Sequence, residues 1–177
     1  MSTVLAPSCS IPLPTPTPAR NPAAALRTVA DTLKTIGVPW QLTGGIAARY
    51  YGSARPLEDL DIDVPDACLA AVTTALVAAG AELAFHPSPS EATERRRCRS
   101  LLTLHGQTID ITGHTDLWFR HHESDVFIRN QGLLARAKQA VIDDIAVRVI
   151  PLDDLIAYKQ VMRRPVDEMD LVALGAW

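Results

Sequence analysis

The chain has 177 residues, 47 % hydrophobic and 21 % charged, with a formal net charge of −3. That length suits one domain that buries a core without disulfide or structural metal, no apolar run approaches the roughly 20 residues of a membrane span, and the acidic balance excludes a general DNA-coating protein. Cys9, Cys68 and Cys98 are far apart and form no Cys-x-x-Cys pair, and the start has no signal-peptide pattern, so a reduced, cytoplasmic protein is expected.

Residues 1–20 read as a proline-rich arm. Pro7, Pro12, Pro14, Pro16, Pro18 and Pro22 are six of 13 prolines, and alternating proline favours extended polyproline II over helix. The arm is expected to lie along the domain or hang loose, with a proline-recognition ligand as an alternative. Residues 21–177 read as a single domain. Asn21-Pro22 opens a helix with Leu26, Val29, Leu33 and Ile36 on one face, and Gly37 stops it. Pro39–Thr43 predicts a short strand, broken at Gly44-Gly45, and Ile46–Tyr51 a short helix ended by Gly52. Asp59–Val64 alternates carboxylate with Leu, Ile and Val, the period of a half-buried strand.

Asp66 is placed to cap a helix carrying Leu69, Val72, Leu76 and Val77 on one face. Glu82–Phe85 predicts a strand and residues 86–94 a loop. Arg97–Leu104 and Gln107–Thr112 predict a hairpin about His105-Gly106. A helix is expected over Leu133–Ala140, a strand over Ile145–Ile150, and closing helices over Asp153–Met162 and Asp167–Leu174 with a break at Pro165.

Asp59 and Asp61 stand two apart on a strand, so both carboxylates leave one face. Such a pair repels itself unless a cation lies between its members, and hard divalent ions prefer oxygen ligands completed by phosphate. The alternative is the solvent side of an edge strand. Asp63 extends the series, so spacing does not say which two of the three hold metal. Gly44-Gly45 lets backbone approach a ligand, and the following helix offers N–H groups to phosphate.

Together, Gly44-Gly45, then Asp59-Leu60-Asp61, then Ile109-Asp110-Ile111 resemble the ordered motifs of the polymerase-beta-like nucleotidyltransferase superfamily. Arg55-Pro-Leu-Glu-Asp-Leu-Asp is similar to the Arg-x-Thr-x-Asp-Ile-Asp version of its minimal antibiotic- and toxin-type members, departing at Leu57, where threonine is usual. Pro151–Lys159 and Arg164–Leu171 look like that subgroup's closing helices. The resemblance implies an α/β (α+β) fold, a small mixed twisted sheet flanked by helices with the C-terminal helices closing the cleft. It implies Asp59, Asp61 and Asp110 as catalytic metal ligands for Mg²⁺, with Mn²⁺ as the alternative. Gly44, Gly45, Arg55, Arg99 and Lys159 are the implied nucleotide-binding residues.

With the hairpin turning at His105-Gly106, Asp110 lies opposite Leu101, and Arg97, Arg99 and Thr103 share its face. Those guanidinium groups suit a triphosphate or pyrophosphate; a solvated run from Arg95 to Arg99 is the alternative, since a one-residue slip reverses the facing. Asp167 and Asp170 share a helical face, either organising Lys159 or Arg164 or stabilising a helix start. His114, His121 and His122 read as solvated. The implied reaction moves a nucleoside monophosphate from an NTP to an acceptor hydroxyl, a small molecule first. The alternatives are a toxin-type enzyme acting on tRNA or protein, and a non-catalytic NTP- and Mg²⁺-binding module. Oligomeric state is not legible.

Overall fold

The structure, a computed structural model, describes residues 19–91 and 95–177, with the stretch 86–91 described by its backbone. The proline-rich arm lies outside the described residues up to Pro18. Helix α1 (Pro22–Ile36) starts as expected: the Asn21 side chain accepts from the Ala24 N–H at 3.0 Å, and Gly37 ends the helix at φ 66°. Leu26, Val29 and Leu33 are buried, whereas Ile36 is 39 % exposed in the last turn.

The strands are β1 (Gln41–Leu42), β2 (Asp59–Val64), β3 (Glu82–Glu91), β4 (Arg95–Leu104), β5 (Gln107–Gly113), β6 (Trp118–Arg120), β7 (Phe127–Arg129), β8 (Lys138–Ile142) and β9 (Ile145–Val149). They form one mixed sheet in the order β7-β6-β4-β5-β2-β1-β9-β8, with β3 also paired to β4. Strand β2 is central, antiparallel to β1 and parallel to β5. Its even positions, Leu60 and Ile62, are fully buried with Ile109, Ile111 and Leu102. They join Leu26, Val29 and Leu33 of α1 and Leu69, Val72 and Leu76 of α3 (Leu69–Ala78) in the core. Each such side chain contributes about 1.5–3 kcal/mol by leaving water. Because strand side chains alternate, this packing turns the odd positions of β2 to the opposite face.

Helices α2 (Gly44–Tyr50), α4 (Leu152–Met162) and α5 (Pro165–Ala173) complete the chain: Gly44 and Gly45 of α2, Lys159 of α4 and Val166 of α5 border the odd face, while Ile46 of α2 shares a groove with Leu60 on the other. The glycine pair is the first turn of α2 and not a break ahead of it. The chain reverses between α4 and α5 at Arg163, φ 44°, and Pro165 is the first residue of α5.

Four other expectations are corrected. Leu133–Ala140 is not a helix: a single 3₁₀ turn, Leu134–Arg136, leads into β8. The β8–β9 hairpin overrides local helix propensity, closing through Asp143 and Asp144 at φ 48° and 60°. The loop expected from residue 86 is strand as far as Glu91. Prolines are tolerated there because, among the described residues, β3 pairs with β4 alone, in an irregular register. Asp66 does not cap α3; it opens a 3₁₀ turn and accepts from the Thr115 N–H at 2.8 Å. Val77 is 42 % exposed. Strands β6 and β7, three residues each, are too short to show a period and escaped the sequence reading.

Candidate active site

Sheet register assembles the carboxylates. Asp61 is the direct partner of Asp110 across the parallel β2–β5 pair, and Asp59 stands two residues earlier on the same face. The hairpin has the expected register, with Leu104 opposite Gln107 and Leu101 opposite Asp110. Arg97 and Arg99 therefore face Asp110: Arg97 Nη2 donates to Asp110 Oδ2 at 2.8 Å, and Arg99 Nη1 lies 3.7 Å from the same oxygen. Arg97 Nη1 donates to Thr112 Oγ1 at 2.6 Å. Burial first, then Arg95, pulls the Arg97 pKa down, and Asp110 opposes them. Arg95 shares this face, a position the period of β4 already contained. The solvated reading holds for Arg96, whose guanidinium sits 3.9 Å from the centre of the Phe127 ring.

Asp61 is held against the glycine turn. Its carbonyl accepts from the Thr43 N–H at 3.0 Å. A Cβ on Gly44, φ 58°, would lie 1.8 Å from Asp61 Oδ2, and one on Gly45 would lie 2.6 Å from Arg55 Nη2. At Gly44 a side chain would have to move Asp61 and adopt a strained φ, whereas at Gly45 the obstacle is the flexible end of the Arg55 side chain. The Gly44 N–H donates to the Tyr158 hydroxyl at 3.0 Å and the Gly45 N–H to Asp61 Oδ2 at 3.4 Å. Tyr158, stacked on Phe119 at 5.1 Å, thus fixes the turn from α4. No sequence signal pointed to it.

Burial, Asp61 and Asp110, in that order, push the Asp59 pKa up to about 6, against the pull of Arg95. Asp110 Oδ1 is buried without a hydrogen-bond partner. An all-oxygen set of crowded anions with an unmatched buried acceptor fits a hard divalent cation. Among the described residues, the histidine and acid ligand atoms that meet within 4.8 Å belong to His121, His122 and Glu123, so the three aspartates stand wider apart.

Asp59, Asp61 and Asp110 border a cleft of about 300 Å³ whose walls also include Gly44, Gly45, Arg55, Arg99 and Lys159. All eight residues singled out from the sequence are thus brought together. A larger groove of about 750 Å³ lies against Leu26, Ile46, Leu57 and Leu60. It faces the other side of β2, away from the carboxylates.

The α4–α5 wall is a buried charge network. Lys159 is 1 % exposed; its ammonium donates to Asp167 Oδ1 at 3.0 Å and Asp170 Oδ2 at 2.9 Å. Burial disfavours that charge, but Tyr158, Asp167 and Asp170 outweigh it and raise the pKa. Arg164 Nε donates to Asp167 Oδ2 at 2.7 Å, while Ser53 Oγ at 2.7 Å and Arg55 Nε at 3.4 Å reach Asp170 Oδ1. Burial raises the Asp167 pKa, yet Arg164 and Lys159 leave it lowered overall. Both readings hold for Asp167, which organises Lys159 and Arg164 and also stabilises the start of α5 by accepting from the Arg164 N–H at 3.2 Å, while Asp170 organises Lys159.

Asp63 leaves the series. Its carboxylate accepts from Gln41 Nε2 at 3.1 Å and lies 3.1 Å from His114 Nδ1. His114, expected in solvent, is buried, with Nε2 2.9 Å from the Gly132 carbonyl.

Comparisons with known proteins give the family and the fold. Residues 25–170 match a family model described as aminoglycoside-2''-adenylyltransferase. The fold is similar to that of a Thermotoga maritima protein classed as a nucleotidyltransferase, with TM-score 0.65 and 18 % identity over 87 % of this chain and 92 % of that one. It is also similar to the lincosamide antibiotic adenylyltransferase LnuA with lincomycin bound, at TM-score 0.55 and 15 % identity over 87 % and 96 % of the two chains. ANT(2'')-Ia in complex with adenylyl-2''-tobramycin gives TM-score 0.54 and 12 % identity over 86 % and 89 %. No curated protein sequence matches the chain.

Proposed function

The chain belongs to the aminoglycoside-2''-adenylyltransferase family, and from that premise we propose that this nucleotidyltransferase moves a nucleoside monophosphate from an NTP, ATP first, to a hydroxyl of a small-molecule acceptor. The acceptor oxygen bonds to the α-phosphorus, the bond to the bridging oxygen breaks, and pyrophosphate leaves. The observation that carries this reading is the Asp61–Asp110 pair on adjacent parallel strands, with Gly44 packed against the Asp61 carboxylate.

Asp59, Asp61 and Asp110 are the residues that would hold Mg²⁺, or Mn²⁺ as the alternative, and the ion would supply charge neutralisation at the phosphates and leaving pyrophosphate. Gly44-Gly45 gives the phosphates a wall without Cβ atoms. Arg99, a quarter exposed and only 3.7 Å from Asp110, is free to turn toward an anion, and Arg55 and Lys159 add positive charge along the opposite wall. As the alternative to holding metal, Asp110 would take the acceptor proton as general base. In-line displacement leaves little covalent work to side chains, so positioning and charge carry the rate.

Lincomycin bound to LnuA and the adenylylated tobramycin bound to ANT(2'')-Ia support an antibiotic acceptor. Among the described residues no helix is long and apolar enough to cross a membrane, and Cys68 and Cys98 are free; both fit work in the cytoplasm, where NTP is abundant. The test is incubation with each α-labelled NTP, Mg²⁺, and tobramycin or lincomycin. Label on the antibiotic with pyrophosphate release is expected; no release with any NTP overturns the reading. A second reading, an RNA acceptor, is favoured by Arg95, Arg97 and Arg99 lining one cleft. It predicts RNA binding that weakens steeply with salt.

A further inference from the structure

The segment that delivers Asp59 to the site has no regular structure: residues 53–58 lie in neither helix nor strand. Its last two carbonyls are gripped from outside. Arg20 Nη2 donates to the Leu57 carbonyl at 2.9 Å and also to that of Glu58. Gln107, fully buried at the start of β5, donates through Nε2 to the Glu58 carbonyl at 3.0 Å. Gln107 Oε1 in turn accepts from Arg20 Nε at 3.3 Å and Nη2 at 3.1 Å. The two side chains hold each other as well as the backbone.

A peptide unit is planar, so fixing the Glu58 carbonyl from two sides also fixes the Asp59 nitrogen and restricts the direction of the Asp59 side chain. The need for restraint is plain: Asp61 and Asp110 both repel the Asp59 carboxylate, and Asp59 is the first residue of its strand, with irregular chain before it. We infer that Arg20 and Gln107 are positioning residues for Asp59, a clamp that keeps its carboxylate aimed at the cation site against the repulsion of its neighbours. The inference rests on the reading of Asp59 as a metal ligand.

The test is a Mn²⁺ titration of the 177-residue chain followed by electron paramagnetic resonance, with Mg²⁺-dependent pyrophosphate release measured alongside. Gln107→Glu keeps the acceptor for Arg20 and loses the donor to Glu58; Arg20→Ala removes the other half. Each is expected to raise the half-saturating Mn²⁺ concentration about 10-fold, as loss of outer-shell partners does, and Arg20→Lys to restore most of it. Arg27→Ala, which removes only a 3.4 Å bond to the Asp143 carbonyl, is expected to leave it unchanged. If Gln107→Glu does not fold, Arg20→Ala, at an exposed side chain, decides alone. Unchanged Mn²⁺ binding in the Arg20 variant, with Asp59→Asn weakening it, overturns the clamp and leaves the site reading intact. Unchanged binding in Asp59→Asn removes both.

Discussion

Gly44 and Asp61 meet so closely that the smallest possible side chain on the glycine would fall 1.8 Å from Asp61 Oδ2. The contact joins the turn that would receive phosphate to a carboxylate that would hold metal. Gly44→Ala must therefore displace one or the other, and it also places alanine at φ 58°, which costs about 1–2 kcal/mol. Turnover in the pyrophosphate-release assay is expected to fall about 100-fold, the penalty of an ångström-scale misplacement, in protein that still folds. Turnover near the wild-type value would separate the turn from the chemistry.

The glycine turn, the Asp59-Asp61 strand and the Arg97–Asp110 facing were legible because each is a local rule carried across one short connection. His105-Gly106 fixes the register, and a period of two does the rest. Asp110 beside Asp61 was reached through family resemblance, since no local pattern pairs strands 49 residues apart. What stayed hidden depends on distant partners. Leu133 and its neighbours favour helix by themselves, yet β9 claims the following residues as a strand. His114 resembles any loop histidine until Asp63 meets it. The spacing of Asp167 and Asp170 was visible, but not the burial that makes Lys159 their counter-ion.

Asp110→Asn separates charge from shape. Asparagine still offers an oxygen to Arg97 Nη2, so the loss of stability is expected to stay below the about 3–5 kcal/mol of an outright broken buried pair. Loss of the anionic oxygen and of the proton acceptor is expected to lower turnover about 10²–10⁴-fold. Urea unfolding and single-turnover kinetics measure the two effects. Full turnover in this variant refutes the role assigned to Asp110.

Lys159→Met leaves Asp167 and Asp170 buried and short of their shared cation. With Lys159 only 1 % exposed, the change is expected to cost about 3–5 kcal/mol, read as a lower urea midpoint. A second change, Asp170→Asn, is expected to recover part of that loss by removing one stranded charge. A stable Lys159→Met protein with a raised KM for NTP would instead make the lysine chiefly a nucleotide contact.

His114 supplies a pH test that leaves the cleft carboxylates out. Its Nδ1 faces Asp63 Oδ2 at 3.1 Å and its Nε2 the Gly132 carbonyl at 2.9 Å. Both partners accept, so only the doubly protonated ring can donate to both. Burial lowers the pKa of this ring, but the hydrogen bond and charge of Asp63, with Gly132 and Asp66, more than offset it, and the net shift is upward. A folded-state value above the unfolded one, about 6.5, gives stability that is complete below the unfolded value. That stability is lost as pH rises through the folded one. The advantage of wild type over His114→Gln in urea unfolding is therefore expected to be largest near pH 6 and to shrink toward pH 9, because the deprotonated ring can donate to Asp63 or to the Gly132 carbonyl but not to both. Parallel stability profiles for the two proteins would mean that the ring stays neutral in the fold and donates to only one of its two partners.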